Sequence, residues 1–318
     1  MNQSVQIILN TLALVALLLA IGFLTLKAKL VKQDHLEGIS KLIVNVLLPC
    51  TLFNLIVNGE AVLPDYLDAM PYLAIVALAY LLLYGLGHVL AKLLHLQGQR
   101  KDVFRMFMIF GNITYFGIPL ITGLYPNALS ILHLTQHNVL DAMILWSFGI
   151  LILNPSLRSR SPLTIIKTIL TPTMIALLAG LVFMGFGWHL PAMPNTIVKG
   201  LADSLKFISL VYMGMLLATI NVKPVLRDKS IYVLIFVKMF LVPLLLYGLA
   251  SLFFIDQSSV TLALMFGLPG MIMVSILVSL YHSDTEYAAG IVFMTTIAAL
   301  ITLPLLVTVI SSLQAVIK

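Results

Sequence analysis

Long apolar runs separated by short polar stretches alternate along the whole chain. A helix that spans a membrane needs about 20 consecutive apolar residues, and ten runs approach that length. They cover residues 5–26, 40–58, 71–95, 104–125, 131–153, 171–188, 197–220, 231–255, 259–281 and 287–312. The pattern predicts an all-α polytopic membrane protein with ten transmembrane helices. The first run has no basic segment before it and is long enough to span, so we expect a retained helix rather than a cleaved signal peptide.

Composition narrows the class of protein further. Hydrophobic residues make up 61% of the chain and charged residues only 9%, whereas soluble domains carry roughly 25% charged residues. The mean hydropathy is +1.09. These values exclude a cytosolic enzyme, a secreted disulfide scaffold and a nucleic-acid-binding domain. Cys50 is the only cysteine, which excludes an intrachain disulfide and a thiolate metal cluster.

Basic residues lie on alternate connections. One set of connections holds 14 of the 18 Lys and Arg residues: Lys27, Lys29, Lys32, Lys41, Lys92, Arg100, Lys101, Arg105, Arg158, Arg160, Lys167, Lys223, Arg227 and Lys229. The opposite set, near 59–70, 126–130, 189–196 and 256–258, holds none. By the positive-inside rule this predicts an integral plasma (inner) membrane protein with both termini outside. The net charge of +6 then reports topology and attraction to membrane lipid, not a nucleic-acid partner.

Two helices of the predicted set carry glycine and proline in their middle. The fourth contains Gly111, Gly117 and Pro119, and the ninth contains the run Gly267–Gly270 with Pro269 inside it. One such cluster would usually be a simple kink. Its occurrence in the fourth helix of each half favours two interrupted helices in an inverted 5+5 repeat, with halves 1–153 and 154–318. Half-helix N-termini at the breaks would suit an anion.

Several motifs resemble those of the auxin efflux carrier family, which includes plant PIN-type carriers and bacterial organic-acid permeases. The strongest is the stretch from Asn112 to Leu120, with the sequence NITYFGIPL. The others lie along the chain in the expected order: Leu48 to Phe53, Leu201 to Ser204, Met213-Gly214, Leu268 to Tyr281, and Ala288 to Pro304. The resemblance covers nearly the whole chain.

The resemblance implies a sodium/proton-antiporter-like architecture with crossed, broken helices 4 and 9. Helices 1, 2, 6 and 7 would form a scaffold, and helices 3–5 and 8–10 a transport bundle that moves by an elevator-type mechanism. It implies a secondary transporter of a small organic anion, a mono- or dicarboxylate such as malate or an auxin-like acid. The short connection 154–167 and Val274, where plant members tend to carry proline, depart from the plant pattern and weigh against auxin itself.

The candidate substrate-binding residues fall into three groups. The resemblance assigns Asn112 and Pro119 to the substrate site and Pro269 to the crossing of the helices. Asn112 could bind a carboxylate, cap the following half-helix, or do both. The complete set of candidates is Asn112, Gly117, Pro119, Pro269 and Gly270 at the breaks, Thr51 and Asn54 after Pro49, and His137, Asn138 and Asp141 on the fifth helix.

A polar stripe runs along the fifth helix. His133, His137 and Asp141 recur at i, i+4 and i+8, so they share one face. A metal pair, a proton relay and a polar wall of the substrate cavity are the three interpretations. No third metal ligand follows and no HExxH motif exists, so we expect no metal and no cofactor. His133 is also expected close to the outer interface.

Three further charges lie inside predicted spans. Asp203 and Lys206 are at i, i+3 on the seventh helix, and Lys238 is in the eighth. The simpler interpretation is a structural ion pair. The alternative is that one of these charges attracts an anionic substrate or takes part in coupling. The rival function is a cation/proton antiporter, for which only Asp141 and Asp203 could supply carboxylates. A membrane enzyme would need a nucleophile–base pair, which is not visible. The oligomeric state stays open, with a homodimer as one candidate.

Overall fold

The computed structural model describes residues 3–59, 63–154, 161–254 and 257–317. Arg158 and Arg160, counted above among the loop residues, lie outside these ranges. Within them the chain is helical and forms no β-strand. The main helices are α1 (Gln3–Lys27), α2 (Gln33–Val57), α3 (Met70–Leu93), α4 (Gly98–Ile109), α5 (Ile113–Leu124), α6 (Ala128–Leu153), α7 (Pro162–Ile169), α8 (Pro172–Phe186), α9 (Ala192–Leu217), α10 (Lys229–Ala250), α11 (Ser258–Phe266), α12 (Ile272–Leu280) and α13 (Thr285–Ile317).

Length and composition identify this fold as that of a polytopic membrane protein. Six of the described helices are long and apolar enough to cross a membrane, namely α2, α3, α6, α9, α10 and α13. A seventh span results if α7 and α8, which meet at an angle of 78°, are counted together. Every predicted apolar run falls on a helix. The runs 104–125 and 259–281, however, are each divided into two shorter helices, α4 with α5 and α11 with α12.

Prolines explain where several helices widen. A proline lacks the backbone N–H and clashes with the carbonyl four residues before it, and a π-helical turn relieves that clash. Three π-helical segments are each followed by a proline two residues later: Ile43–Leu47 by Pro49, Ile113–Gly117 by Pro119, and Val237–Leu241 by Pro243. The second and third of these segments lie beside the broken helices, where widened turns are often functional.

Glycines allow one pair of helices to pack backbone against backbone. A Cβ placed on Gly22 of α1 would lie 1.9 Å from the Val211 carbonyl oxygen of α9, and one on Gly214 would lie 2.1 Å from the Leu19 carbonyl oxygen. Neither position therefore tolerates a side chain. Helices α2 and α8 form a second close pair, in which Gly180 lies against the Ile56 side chain. Such small-residue contacts are typical of helix packing inside membranes.

The two divided helices meet where each is interrupted. Gly111 and Gly270 form an isolated antiparallel bridge, and the Asn112 backbone N–H donates to the Pro269 carbonyl at 2.9 Å. All of these residues are buried. Backbone groups released from a helix inside a membrane need a protein partner. Here one backbone N–H of the first break is satisfied by a backbone carbonyl of the second. The meeting point places four helix ends at one location in the core.

Candidate functional site

Asn112 is the polar side chain at the first break. Its Oδ1 accepts a hydrogen bond from the Tyr115 backbone N–H at 3.4 Å, so it caps the start of α5. The side chain is only 2% exposed, and its Nδ2 has no hydrogen-bond partner among the described residues. An amide NH₂ that is buried without a partner is costly. Asn112 therefore caps the helix and still offers two N–H donors to a ligand.

Lys238 contacts the helix end that precedes the same break. Its side chain is fully buried in the π-helical turn of α10. The ammonium donates to the Phe107 carbonyl at 2.7 Å and to the Phe110 carbonyl. These oxygens belong to the C-terminal end of α4, where the last four carbonyls of a helix lack helical partners and carry partial negative charge. Lys238 thus satisfies two of them with a positive charge.

The second break is completed mainly by backbone and by one hydroxyl. The Gly270 N–H donates at 2.9 Å to Thr295 Oγ1 of α13, and that hydroxyl donates in turn to the Ile291 carbonyl at 2.6 Å. Met271 starts α12 without any side-chain cap. A Cβ on Gly270 would lie 2.9 Å from Phe107 Cδ1. Pro269 and Gly270 therefore contribute carbonyl and shape rather than a polar side chain.

Gly117 and Pro119 belong to α5 after the first break. A Cβ on Gly117 would lie 3.0 Å from Leu268 Cδ1 and 3.1 Å from Met265 Cε, so glycine lets α5 approach the second break closely. Pro119 follows the widened turn and is half-buried. Both residues fix the position of the backbone around Asn112.

His137 and Asp141 are joined by a residue that the sequence did not single out. The Tyr80 hydroxyl, on α3, donates to Asp141 Oδ1 at 2.5 Å and lies 3.1 Å from His137 Nε2. All three side chains are buried. Asp141 Oδ2 and His137 Nδ1 have no hydrogen-bond partner in the described part of the chain. Within the described ranges, no group of three or more His, Cys, Asp or Glu residues could hold a metal ion.

Tyr80, His137 and Asp141 form the group called here the Tyr80 triad. His133 lies one helical turn before His137 on α6. Its ring stacks on Tyr72 of α3, with ring centroids 3.8 Å apart and planes 9° from parallel. Tyr72 and Tyr80 are eight residues apart and therefore share a face of α3. The spacing of the two tyrosines is a sequence signal for a polar face on α3, but it does not identify their partners.

A cavity of about 860 Å³ opens between α2 and α6. Two of the candidate binding residues, Asn54 of α2 and Asn138 of α6, line it together with Ile118 of α5. Asp65 and Tyr66 line its mouth, and burial raises the pKa of Tyr66 to about 12, so this phenol stays neutral. The described residues around the cavity include no lysine or arginine. The cavity extends from the C-terminal end of α2 to α5 just after the first break.

Thr51 and the Asp203–Lys206 pair lie elsewhere. Thr51 Oγ1 donates to the Leu47 carbonyl at 2.8 Å and to the Ala202 carbonyl at 3.4 Å, so it joins α2 to α9. Asp203 and Lys206, for which an ion pair was one interpretation, are not joined by any N···O distance of 4.0 Å or less in the described structure. Asp203 is exposed and Lys206 half-exposed on α9.

Comparison with known families identifies the type of protein. A family model described as "Membrane transport protein", that of the auxin efflux carrier family, matches residues 7–307. The match spans nearly the whole chain and includes both breaks, the Tyr80 triad and Lys238. Comparison with curated proteins finds no match.

Proposed function

The chain belongs to the membrane transport protein family of auxin efflux carriers, and we propose that it is a secondary transporter of a small organic anion. The substrate is a mono- or dicarboxylate, such as malate or an auxin-like acid. The observation that carries this proposal is the Asn112 amide. It is buried at the crossing of two broken helices with both N–H donors available, and a carboxylate is the acceptor that such donors favour.

The electrostatic surroundings of Asn112 support a negative ligand. Helices α5 and α12 both begin at the breaks, and helix N-termini carry partial positive charge. Lys238 neutralises the negative end of α4 at the same place. Asp141 is the one fixed carboxylate among the candidate residues, and the Tyr80 hydroxyl already donates to it. With the two helix N-termini and Lys238 at the crossing, and with Asp141 already partnered by Tyr80, a bound anion is better accommodated there than a further cation.

Ten spans in an inverted 5+5 repeat form the architecture that we propose for this carrier. The close pairs α1 with α9 and α2 with α8 support a scaffold built from predicted helices 1, 2, 6 and 7. The remaining helices, which hold both breaks, would then move as a transport bundle in an elevator-type cycle. The cavity between α2 and α6 lies at the boundary of these two units. The distribution of basic residues favours a plasma membrane protein with both termini outside.

Site-directed labelling tests this topology. Single cysteines replacing Arg227 and Ala192, in a Cys50→Ser background, should react with a membrane-impermeant maleimide from opposite sides of the membrane. Ala192 is the first residue of α9, Arg227 lies in the connection that follows this helix, and both are exposed. Labelling of both from the same side would contradict the ten-span arrangement.

A cation/proton antiporter is the second candidate, because Asp141 is buried with one carboxylate oxygen unpaired. Such a protein would gain from a second carboxylate near the first. Asp203, the other carboxylate in a predicted span, is exposed on α9 and belongs to a different group of helices.

Uptake by proteoliposomes separates the two functions. We expect accumulation of at least one radiolabelled anion from a panel that includes malate and indole-3-acetate, and we expect no exchange of sodium for protons. Empty liposomes give the background. Sodium–proton exchange without uptake of any carboxylate would favour the antiporter and contradict the proposal.

A further inference from the structure

The Lys238 ammonium is buried against backbone carbonyl oxygens at the end of α4. The side chain is fully buried, and two of its three N–H groups are engaged by the Phe107 and Phe110 carbonyls. The Asp141 carboxylate lies farther away than an ion pair of 4.0 Å but still interacts with this charge electrostatically. The ammonium is therefore held at one position, between the end of α4 and the Tyr80 triad.

The oxygen atoms around Lys238 have the chemistry of a site for a small inorganic cation. Carbonyl oxygens at the C-terminal end of a broken helix, with a carboxylate nearby, are ligands that coordinate sodium in membrane carriers. The helix end supplies partial negative charge. A protein without a positive charge at this place would leave those carbonyls buried and unsatisfied, which is costly where water is excluded.

We propose that the Lys238 ammonium is a tethered cation that permanently fills a sodium-type site beside the first break. The oxygen ligands are then never available to sodium, and the protein has no use for sodium as a coupling ion. Lys238 acts as a positioning residue, because it holds the end of α4 and through it the backbone that leads into Asn112. Only the consequence for uptake rests on the proposed carrier function.

Removal of the tethered cation should create a sodium site. In Lys238→Ala, the side chain beyond Cβ is lost, and the space left can admit a sodium ion or ethylammonium, which is one carbon shorter than the deleted part. We expect purified Lys238→Ala to bind radiosodium in a scintillation-proximity assay, and ethylammonium but not choline to displace it. The wild type should bind none.

Thermal melting supplies a second measurement that does not depend on transport. Ligands that bind only the folded state raise the melting temperature. At constant ionic strength, we expect Lys238→Ala to melt lower than wild type in choline chloride and to gain about 2–4 °C in saturating sodium chloride. The wild type should melt at the same temperature in both salts. Lys206→Ala, which removes a half-exposed lysine of α9, is the matched control and should show no difference between the salts.

Each other outcome overturns the tethered-cation proposal. Radiosodium binding by the wild type, or higher melting of the wild type in sodium, would show that sodium has its own site. Lys238→Ala that neither binds nor is stabilised by sodium or ethylammonium would show that no cation site was filled. If Lys238→Ala does not fold in choline, purification in sodium or ethylammonium should recover the folded protein. Lys238→Gln is a second variant for the same test. The proposal is overturned if neither cation recovers either variant.

Uptake then distinguishes this proposal from the carrier function. If malate or indole-3-acetate is transported, wild-type uptake should be equal in sodium and choline, whereas Lys238→Ala should require sodium. Absence of any uptake would contradict the carrier proposal but leave the binding and melting results to decide on the cation site.

Discussion

The two interrupted helices cross at Gly111 and Gly270, but an amide and an ammonium group are placed at only one of the two breaks. At the break between α4 and α5, Asn112 caps the following helix and Lys238 holds the end of the preceding one. At the break between α11 and α12, Met271 stands at the capping position without a hydrogen bond, and no charged side chain reaches the backbone in the described part of the chain. The second break relies on Thr295 instead.

The difference supports the proposal that the substrate is recognised at the first break. A buried amide without a partner is costly in a membrane interior, and the Asn112 Nδ2 is such a group, whereas the Lys238 ammonium is already engaged by two carbonyls. The second break serves chiefly to place its backbone against the first, through the hydrogen bond from Asn112 to the Pro269 carbonyl.

The largest contrast should come from the two prolines. Pro119→Ala restores an N–H and allows the widened turn Ile113–Gly117 to become regular helix, which displaces Asn112 from its cap. We expect uptake to fall by about tenfold or more, because small displacements of binding groups have large kinetic effects. Pro269→Ala acts on Asn112 only through one carbonyl, so its loss should be smaller. Folded yield, followed by size-exclusion chromatography, should change little in both. Full uptake in both variants would contradict a functional role for the two prolines and leave them only a role in helix packing.

A second contrast concerns the glycines that bridge the breaks. In Gly270→Ala, the new Cβ would lie 2.9 Å from the Phe107 ring and 3.1 Å from Thr295 Oγ1. We expect a loss of stability of about 1–3 kcal/mol, as for overpacked cores. In Gly111→Ala the nearest atoms, Leu268 Cβ and the Met265 carbonyl oxygen, are at 3.3 Å, so the loss should be smaller. Melting temperatures of the two variants test the order, and the reverse order would contradict the packing described here.

The smallest effect is expected from the hydroxyl that supports the second break. Thr295→Val keeps the shape but removes the acceptor for the Gly270 N–H. The substitution also removes the hydrogen bond that the hydroxyl donates to the Ile291 carbonyl. The group left without this acceptor is the Gly270 N–H, and we expect a cost of about 1 kcal/mol, the lower end of the range for an unsatisfied buried group. Thr295→Ser keeps the hydroxyl and serves as the control. Carboxylate affinity should be unchanged in both, and a weakened affinity in Thr295→Val alone would show that the second break also takes part in recognition.

Sequence reasoning located the helices and the breaks because both depend on local properties. Apolar runs of about 20 residues and the clusters around Pro119 and Pro269 can be recognised without knowledge of packing. The partners of the breaks could not be found in this way. Lys238 and Tyr80 come from helices distant in the chain, and spacing alone gives no sign of which carbonyl or carboxylate they reach. The i, i+3 spacing of Asp203 and Lys206 likewise did not determine whether the two side chains pair, and they are not joined in the described structure.

Titration calorimetry of carboxylates against Asn112→Ala, Met271→Ala and wild type tests the central claim most directly. Both residues stand at the N-cap position of the helix that follows a break. Loss of a buried amide partner costs about 1–3 kcal/mol, so the affinity of Asn112→Ala for the best carboxylate of the panel should fall roughly tenfold or more. Met271→Ala should bind within about twofold of wild type, because its side chain donates no hydrogen bond. Equal affinities in all three proteins, or binding of sodium or a neutral solute in place of any carboxylate, would contradict an organic-anion site at the first break.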